Sequence, residues 1–140
     1  MIFETAIKTT TVDNKGNDKV VTSRYIIENA ELFGEVESKL YEEFGNFPNF
    51  GVLSIKTNNK IREVINEKPD GDDECKIFYA TIVDFFTDDN GKVKEIPYIV
   101  VAFAHDMTEA KAAVDQYMRM GLEDMELKKL VETKMLDVLR

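Results

Sequence analysis

The chain has 140 residues, 44% of them hydrophobic and 32% charged, and a formal net charge of −9. This composition suits one folded domain that buries roughly 70% of its unfolded surface, and it excludes a disordered chain. The negative balance disfavours long-range attraction to duplex DNA or anionic lipid, and no stretch approaches the roughly 18 apolar residues of a membrane span.

A single cysteine, Cys75, rules out an intrachain disulfide and points to a cytoplasmic setting. The start Met1-Ile2-Phe3-Glu4 lacks a basic region followed by an apolar run, so neither secretion nor membrane insertion is expected. Residues 1–66, 67–75 and 76–140 carry −2, −4 and −3. Nearly half of the excess therefore sits in one short segment.

Residues 3–12, with Thr9-Thr10-Thr11, have the β-branched content of a strand, and residues 20–29 return beside it. Between them Asp13-Asn14-Lys15-Gly16-Asn17-Asp18 supplies turn residues that tolerate positive φ. Leu32, Phe33, Val36, Leu40, Tyr41 and Phe44 then fall on one helical stripe, with Gly45 as its stop. Residues 50–57 read as a strand, followed by a short apolar tail at 61–65. Residues 66–75 form an acidic linker around Pro69-Asp70-Gly71, whose carboxylates repel one another and stay solvated.

Residues 76–86 and 95–103 make a second, more apolar hairpin around Asp88-Asp89-Asn90-Gly91, expected near the sheet centre with both faces covered. Pro97 marks a bulge or the start of regular pairing. Met107, Ala110, Val114, Tyr117 and Met118 form the second helical stripe, opened by an Asp106/Glu109 capping box and closed by Gly121. Residues 126–133, with Leu127, Leu130 and Val131, fit a strand or a helical turn by themselves, and equivalence to residues 50–57 of the first half makes them extended. A second apolar tail covers 135–139.

The second half repeats the first. Phe3 answers to Phe78 and Gly16 to Gly91, 75 positions apart; from the second strand onward the offset is 74, which reads as one residue lost in the second hairpin. The expected fold is α+β: a tandem ββαβ repeat with antiparallel sheet or sheets and two helices packed on one side. Residues 1–140 form a single domain built of 2–65, the acidic linker 66–75, and 76–139. The more polar first copy is expected toward the sheet edges. Thr9, Thr10 and Thr11 then lie on an exposed edge able to pair with a second copy in a homodimer.

The tails Asn59-Lys60-Ile61-Arg62-Glu63-Val64-Ile65 and Glu132-Thr133-Lys134-Met135-Leu136-Asp137-Val138-Leu139, with the strand at 98–103 and the acidic linker, carry a resemblance. Across its whole length the chain resembles a domain-of-unknown-function family of small duplicated ββαβ proteins from gut Bacteroidota and their crAss-like tailed phages. That family often has tryptophan near position 3 and proline near 134, where this chain has Phe3 and Lys134. The resemblance implies such an origin and the repeated α+β fold, and brings no activity or catalytic residues.

No catalytic, cofactor-binding or metal-binding constellation emerges. His105, the only histidine, stands beside Asp106 at a helix start without a nucleophile to activate. Asp70, Asp72, Asp73 and Glu74 offer oxygen ligands, but not at the spacing of a calcium loop, and the Asp88–Gly91 carboxylates are what a hairpin turn selects. Cys75 lies among carboxylates that disfavour its thiolate. The expected function is a non-catalytic protein-interaction or accessory module acting through an acidic surface, with another protein as partner. The alternative is a single-stranded nucleic-acid binder using Phe85 and Tyr98 among strand aromatics, with Lys56, Lys60, Arg62, Lys128, Lys129 and Lys134 on the phosphates.

Overall fold

A computed structural model of the chain describes residues 1–68, 71–121 and 124–140. The elements run β1 (Phe3–Val12), β2 (Asp18–Ile27), α1 (Phe33–Phe44), β3 (Gly51–Thr57), β4 (Ile61–Ile65), β5 (Lys76–Thr87), β6 (Val93–Ala104), α2 (Met107–Met120), β7 (Asp124–Glu132) and β8 (Met135–Leu139). The fold is α+β, with two four-stranded sheets ordered β3-β1-β2-β8 and β4-β6-β5-β7. The ambiguous segment around Leu127 is the strand β7.

Each apolar tail is a strand, so the order within each half is ββαββ rather than ββαβ. The tails also pair across the halves. β8 runs parallel to β2, with Tyr25 opposite Asp137 and Ile27 opposite Leu139; β4 runs parallel to β6, with Glu63 opposite Val100 and Ile65 opposite Ala102. The sheets are therefore mixed, not antiparallel. The chain divides into two compact units, Met1–Asn59 with Lys134–Arg140, and Lys60–Thr133. These boundaries differ from the halves read in the sequence because each unit closes its sheet with the other half's tail.

The two hairpins close alike. Gly16 (φ 79°) donates to the Asp13 carbonyl at 3.1 Å and Gly91 (φ 80°) to the Asp88 carbonyl at 3.0 Å, a left-handed conformation that glycine adopts without Cβ strain. Oδ1 of Asp13 accepts from the N–H groups of Lys15 and Asn17, and Oδ1 of Asp88 from those of Asn90 and Lys92. The pairings Phe3↔Ile27 and Phe78↔Ala102 keep an offset of 75 through the second strand. No residue is lost in the hairpin. The step to 74 comes after β2, where Glu28 and Asn29 lead to α1 and Asn29 takes a positive φ of 60°.

Pro97 lies inside β6, opposite Val83, in unbroken register. Ile99 donates its N–H to Lys60, on the β4 side. Pro97 has the same parity but sits beyond the end of β4, so its missing N–H forfeits no ladder bond.

In the first unit Phe3, Ile7 and Ile27 pack against Val36 and Leu40 of α1, with Phe44, Phe50, Ile55 and Leu139 around them. Buried Thr5 satisfies its hydroxyl on the Tyr25 carbonyl at 2.9 Å. In the second, Phe78, Ala80, Ile82, Val100 and Ala102 meet Ala110 and Val114 of α2. Ile77, Val101 and Phe103, which alternate with these along β5 and β6, are buried too, so both faces of this hairpin are covered. Asp106 caps α2 by accepting from Glu109 N at 2.8 Å, whereas Leu32 at the start of α1 makes no side-chain cap.

Thr9, Thr10 and Thr11 do not form an exposed edge. β1 lies between β2 and β3, and where β3 stops, Thr10 donates its N–H to Pro48 O at 2.9 Å while its hydroxyl accepts from Asn49 Nδ2. N–H groups alternate sides along a strand, which turns those of Thr9 and Thr11 toward β2. The sheet edges are β3, β8, β4 and β7. Deleting residues 134–140 strips β2 of its parallel neighbour and is expected to accelerate hydrogen exchange at the amides of Ile26 and Glu28, which point toward β8 and away from β1. Leu139→Ala should cost about 2 kcal/mol in chemical denaturation, the low end for a core leucine because this one is half-buried.

Candidate functional site

The α1 sequence buries Val36 and Leu40 and leaves the opposite side to solvent. Phe33, Glu37 and Tyr41 are spaced four apart and so share one stripe. Phe33, Tyr41 and Phe47, in the turn after the helix, are each 54% exposed. Each leans on a ring beneath. Phe33 meets Phe3 edge-on at 5.4 Å, Tyr41 meets Phe50 edge-on at 4.9 Å, and Phe47 tilts against Phe44 at 6.1 Å. Phe3 is buried and Phe44 and Phe50 are partly buried, so each outer ring rests on one partner ring.

Of the α1 carboxylates only Glu37 shares the stripe of these rings, while Glu35, Glu42 and Glu43 line a shallow pocket round the helix with Lys39 and Arg140. Within α1, Glu35, Glu37, Glu42 and Glu43 stand against one base, Lys39, and among the described residues Glu37, Glu42 and Glu43 form no ion pair. The corresponding helix α2 is balanced, with Glu109 and Asp115 against Lys111 and Arg119, and Lys111 pairs with Asp115 at 2.9 Å. Its exposed apolar residues are Met107 and Met120, not aromatics. The two helices bury matching positions and differ in what they present outward.

The residues proposed for nucleic-acid contact are dispersed. Arg62 on β4 and Lys128 and Lys129 on β7 lie at opposite edges of the second sheet, while Lys56 and Lys134 belong to the first unit. Lys60 lies in the turn before β4. Lys128 pairs with Glu126 at 3.2 Å and sits 5.9 Å above the half-buried ring of Phe85. Tyr98 is buried under α2 rather than offered as a stacking surface.

Arg62 is committed to the protein. Its Nη1 lies 3.3 Å from Oδ2 of Asp84, and its guanidinium lies 3.5 Å above the Tyr98 ring. Asp84 is 5% exposed, and its Oδ1 has no hydrogen-bond donor in place among the described residues. Burial first and Asp84 second raise the Tyr98 pKa; Tyr98 O–H donates to Met125 Sδ at 3.4 Å. Tyr117 donates to Glu63, and burial together with that carboxylate pushes its pKa up to about 12. This network holds a buried carboxylate beside two neutral phenols.

At the other end of the same sheet, Lys76 pairs with Ala104, which sets Cys75 opposite His105 one step further along. His105 Nε2 lies 2.7 Å from Asp72 Oδ2 and Nδ1 lies 2.9 Å from Glu109 Oε2. Glu109 and Asp72 raise the imidazole's pKa above its ordinary value. Burial, then Asp72 and Glu109, raise that of the Cys75 thiol. Asp72 is thus engaged rather than merely solvated, Asp73 and Glu74 are exposed, and Asp70 lies outside the described residues. The 75-to-105 juxtaposition follows from extending the second hairpin's register outward from Asp88 and Lys92, a signal available in the sequence.

The profile of a family described as Domain of unknown function (DUF4494) matches residues 1–140. The chain belongs to that family. No curated protein and no solved structure matched it. The DUF4494 chain has no helix among its described residues long and apolar enough to cross a membrane. The exposure of Phe33 and Tyr41 is not legible in the sequence, because both fall within the apolar stripe expected to face the sheet.

Arg62→Ala would strand the Asp84 carboxylate in a dry site and should destabilise by about 2 kcal/mol, discounted for the half-exposed arginine. Adding Asp84→Asn should restore most of that loss in the same denaturation assay. By NMR titration the His105 imidazole should show a midpoint above 6.5, falling in Glu109→Gln, because a neighbouring negative charge favours the protonated ring.

Proposed function

We propose that this DUF4494 chain is a non-catalytic interaction module whose α1 face binds a basic, partly apolar segment of another protein. The observation that carries the reading is the contrast between α1 with its following turn, which present the exposed rings of Phe33, Tyr41 and Phe47 and an excess of three negative charges within the helix, and the neutral α2. Fixed aromatic rings offer binding surface at little ordering cost, and lysine or arginine on a partner gains from both the ring faces and the carboxylates. An origin in gut Bacteroidota or their phages is part of the proposal and rests on the resemblance of the tails. Its cytoplasmic setting rests on the lone cysteine.

Affinity capture from bacterial lysate, followed by mass spectrometry, tests it. The retained partner should carry a basic segment at its contact, should bind more weakly as salt rises, and should be lost with Tyr41→Ala/Phe47→Ala. Glu37→Lys/Glu42→Lys/Glu43→Lys should abolish retention while leaving the circular dichroism unchanged. Equal capture by both variants and the parent would sink the reading.

A further inference from the structure

We propose that Asp72, Cys75 and His105 form a Zn²⁺ site, with Glu109 orienting the histidine from behind. The Asp72 carboxylate oxygen, Cys75 Sγ and a ring nitrogen of His105 lie within 4.8 Å of one another. These are the chain's only thiol and only imidazole, brought face to face by the antiparallel register that puts Lys76 opposite Ala104. Directly opposed residues hold their Cβ atoms about 5 Å apart, close enough for both side chains to reach one ion. Asp72 comes in from the turn before β5, where its Oδ1 accepts from Glu74 N at 3.3 Å and so turns Oδ2 toward His105.

The donor set selects the metal. A thiolate, an imidazole and a carboxylate suit Zn²⁺, whereas Ca²⁺ and Mg²⁺ require oxygen throughout. Tetrahedral Zn²⁺, with bonds of about 2.0–2.3 Å, spaces its donors by about 3.3–3.8 Å. The Nε2···Oδ2 contact of 2.7 Å would open by about half an ångström and the sulfur would close in, movements within reach of partly exposed side chains. Glu109 at 2.9 Å from Nδ1 supplies the carboxylate–histidine arrangement that fixes the tautomer with Nε2 toward the metal. Three protein ligands leave a fourth position for water.

Binding releases the Cys75 thiol proton to solvent, together with any proton carried on Nε2, while Nδ1–H stays with Glu109. The ion's charge is then balanced by the thiolate and the Asp72 carboxylate. Without a metal the His105–carboxylate contacts stand as they are, and the thiol takes no part in them. The site belongs to the second unit and does not depend on the α1 reading.

The test uses the full, tag-free chain, stripped with chelator and dialysed, titrated with Zn²⁺ by calorimetry and with Co²⁺ by absorption. One equivalent of Zn²⁺ should bind, and Co²⁺ should give thiolate-to-metal charge-transfer absorption that disappears in Cys75→Ser. Glu109→Gln should weaken Zn²⁺ by about 10–100-fold while keeping the Co²⁺ band, the signature of a residue acting through the histidine. Circular dichroism confirms that each variant is folded. Absence of saturable binding, or affinity unmoved by both Cys75→Ser and His105→Gln, would overturn the proposal and leave His105 as a link between two carboxylates.

Discussion

Backbone pairing between β2 and β8, and between β6 and β4, is the constraint on which the rest of this structure depends. A three-stranded β3-β1-β2 sheet would leave β2 with an open row of N–H and C=O groups along its most apolar stretch, Tyr25, Ile26 and Ile27. The tail of the other half covers that row, and Leu139 adds its side chain to the core beneath α1. The same holds for Val100, Val101 and Ala102 against β4. Both tails break register at the corresponding point, between Met135 and Asp137 and between Ile61 and Glu63. Neither unit is complete without a strand supplied from the other half of the chain.

This arrangement explains why so much buried surface is held in common between the halves while so little surface chemistry is. Positions facing the helices are restricted by packing to residues of fitting volume, as at Phe3 and Phe78 or Ile7 and Ile82. Outward positions carry no such restriction. α1 has used that freedom for aromatics and glutamates, α2 for a compensated lysine–aspartate surface, and the segment before β5 for a group of ligand-type side chains.

Polar groups on and beneath the helices are met to different degrees, and Asp84 Oδ1 has no donor among the described residues. Thr5 hides its hydroxyl against a carbonyl, Tyr117 is held by Glu63, and Asp84 is countered by a guanidinium that also caps the Tyr98 ring. Arg62 therefore reads as a structural cation. Its strand position had suggested a phosphate contact, and only the location of Asp84 two strands away reveals its engagement.

Local chemistry by itself determined the turns, the strands, the helices and their ends. Asp13 and Asp88 with glycine three residues on, the 3.6-residue stripe at Val36 and Leu40, and Asp106 before Glu109 each act within one turn of chain, so no distant partner is needed to read them. Repetition between the halves also resolved 126–133 as extended, a choice its own periodicity left open. Which strand neighbours which was decided only by the tertiary structure. Short apolar tails such as 61–65 and 135–139 fit any uncovered edge equally well, since backbone hydrogen bonds carry no sequence label. The same reason hid the interior position of β1, the division into units at Asn59 and Lys134, and the outward turn of Phe33 and Tyr41. Each depends on what covers a residue, which is a property of the assembled chain.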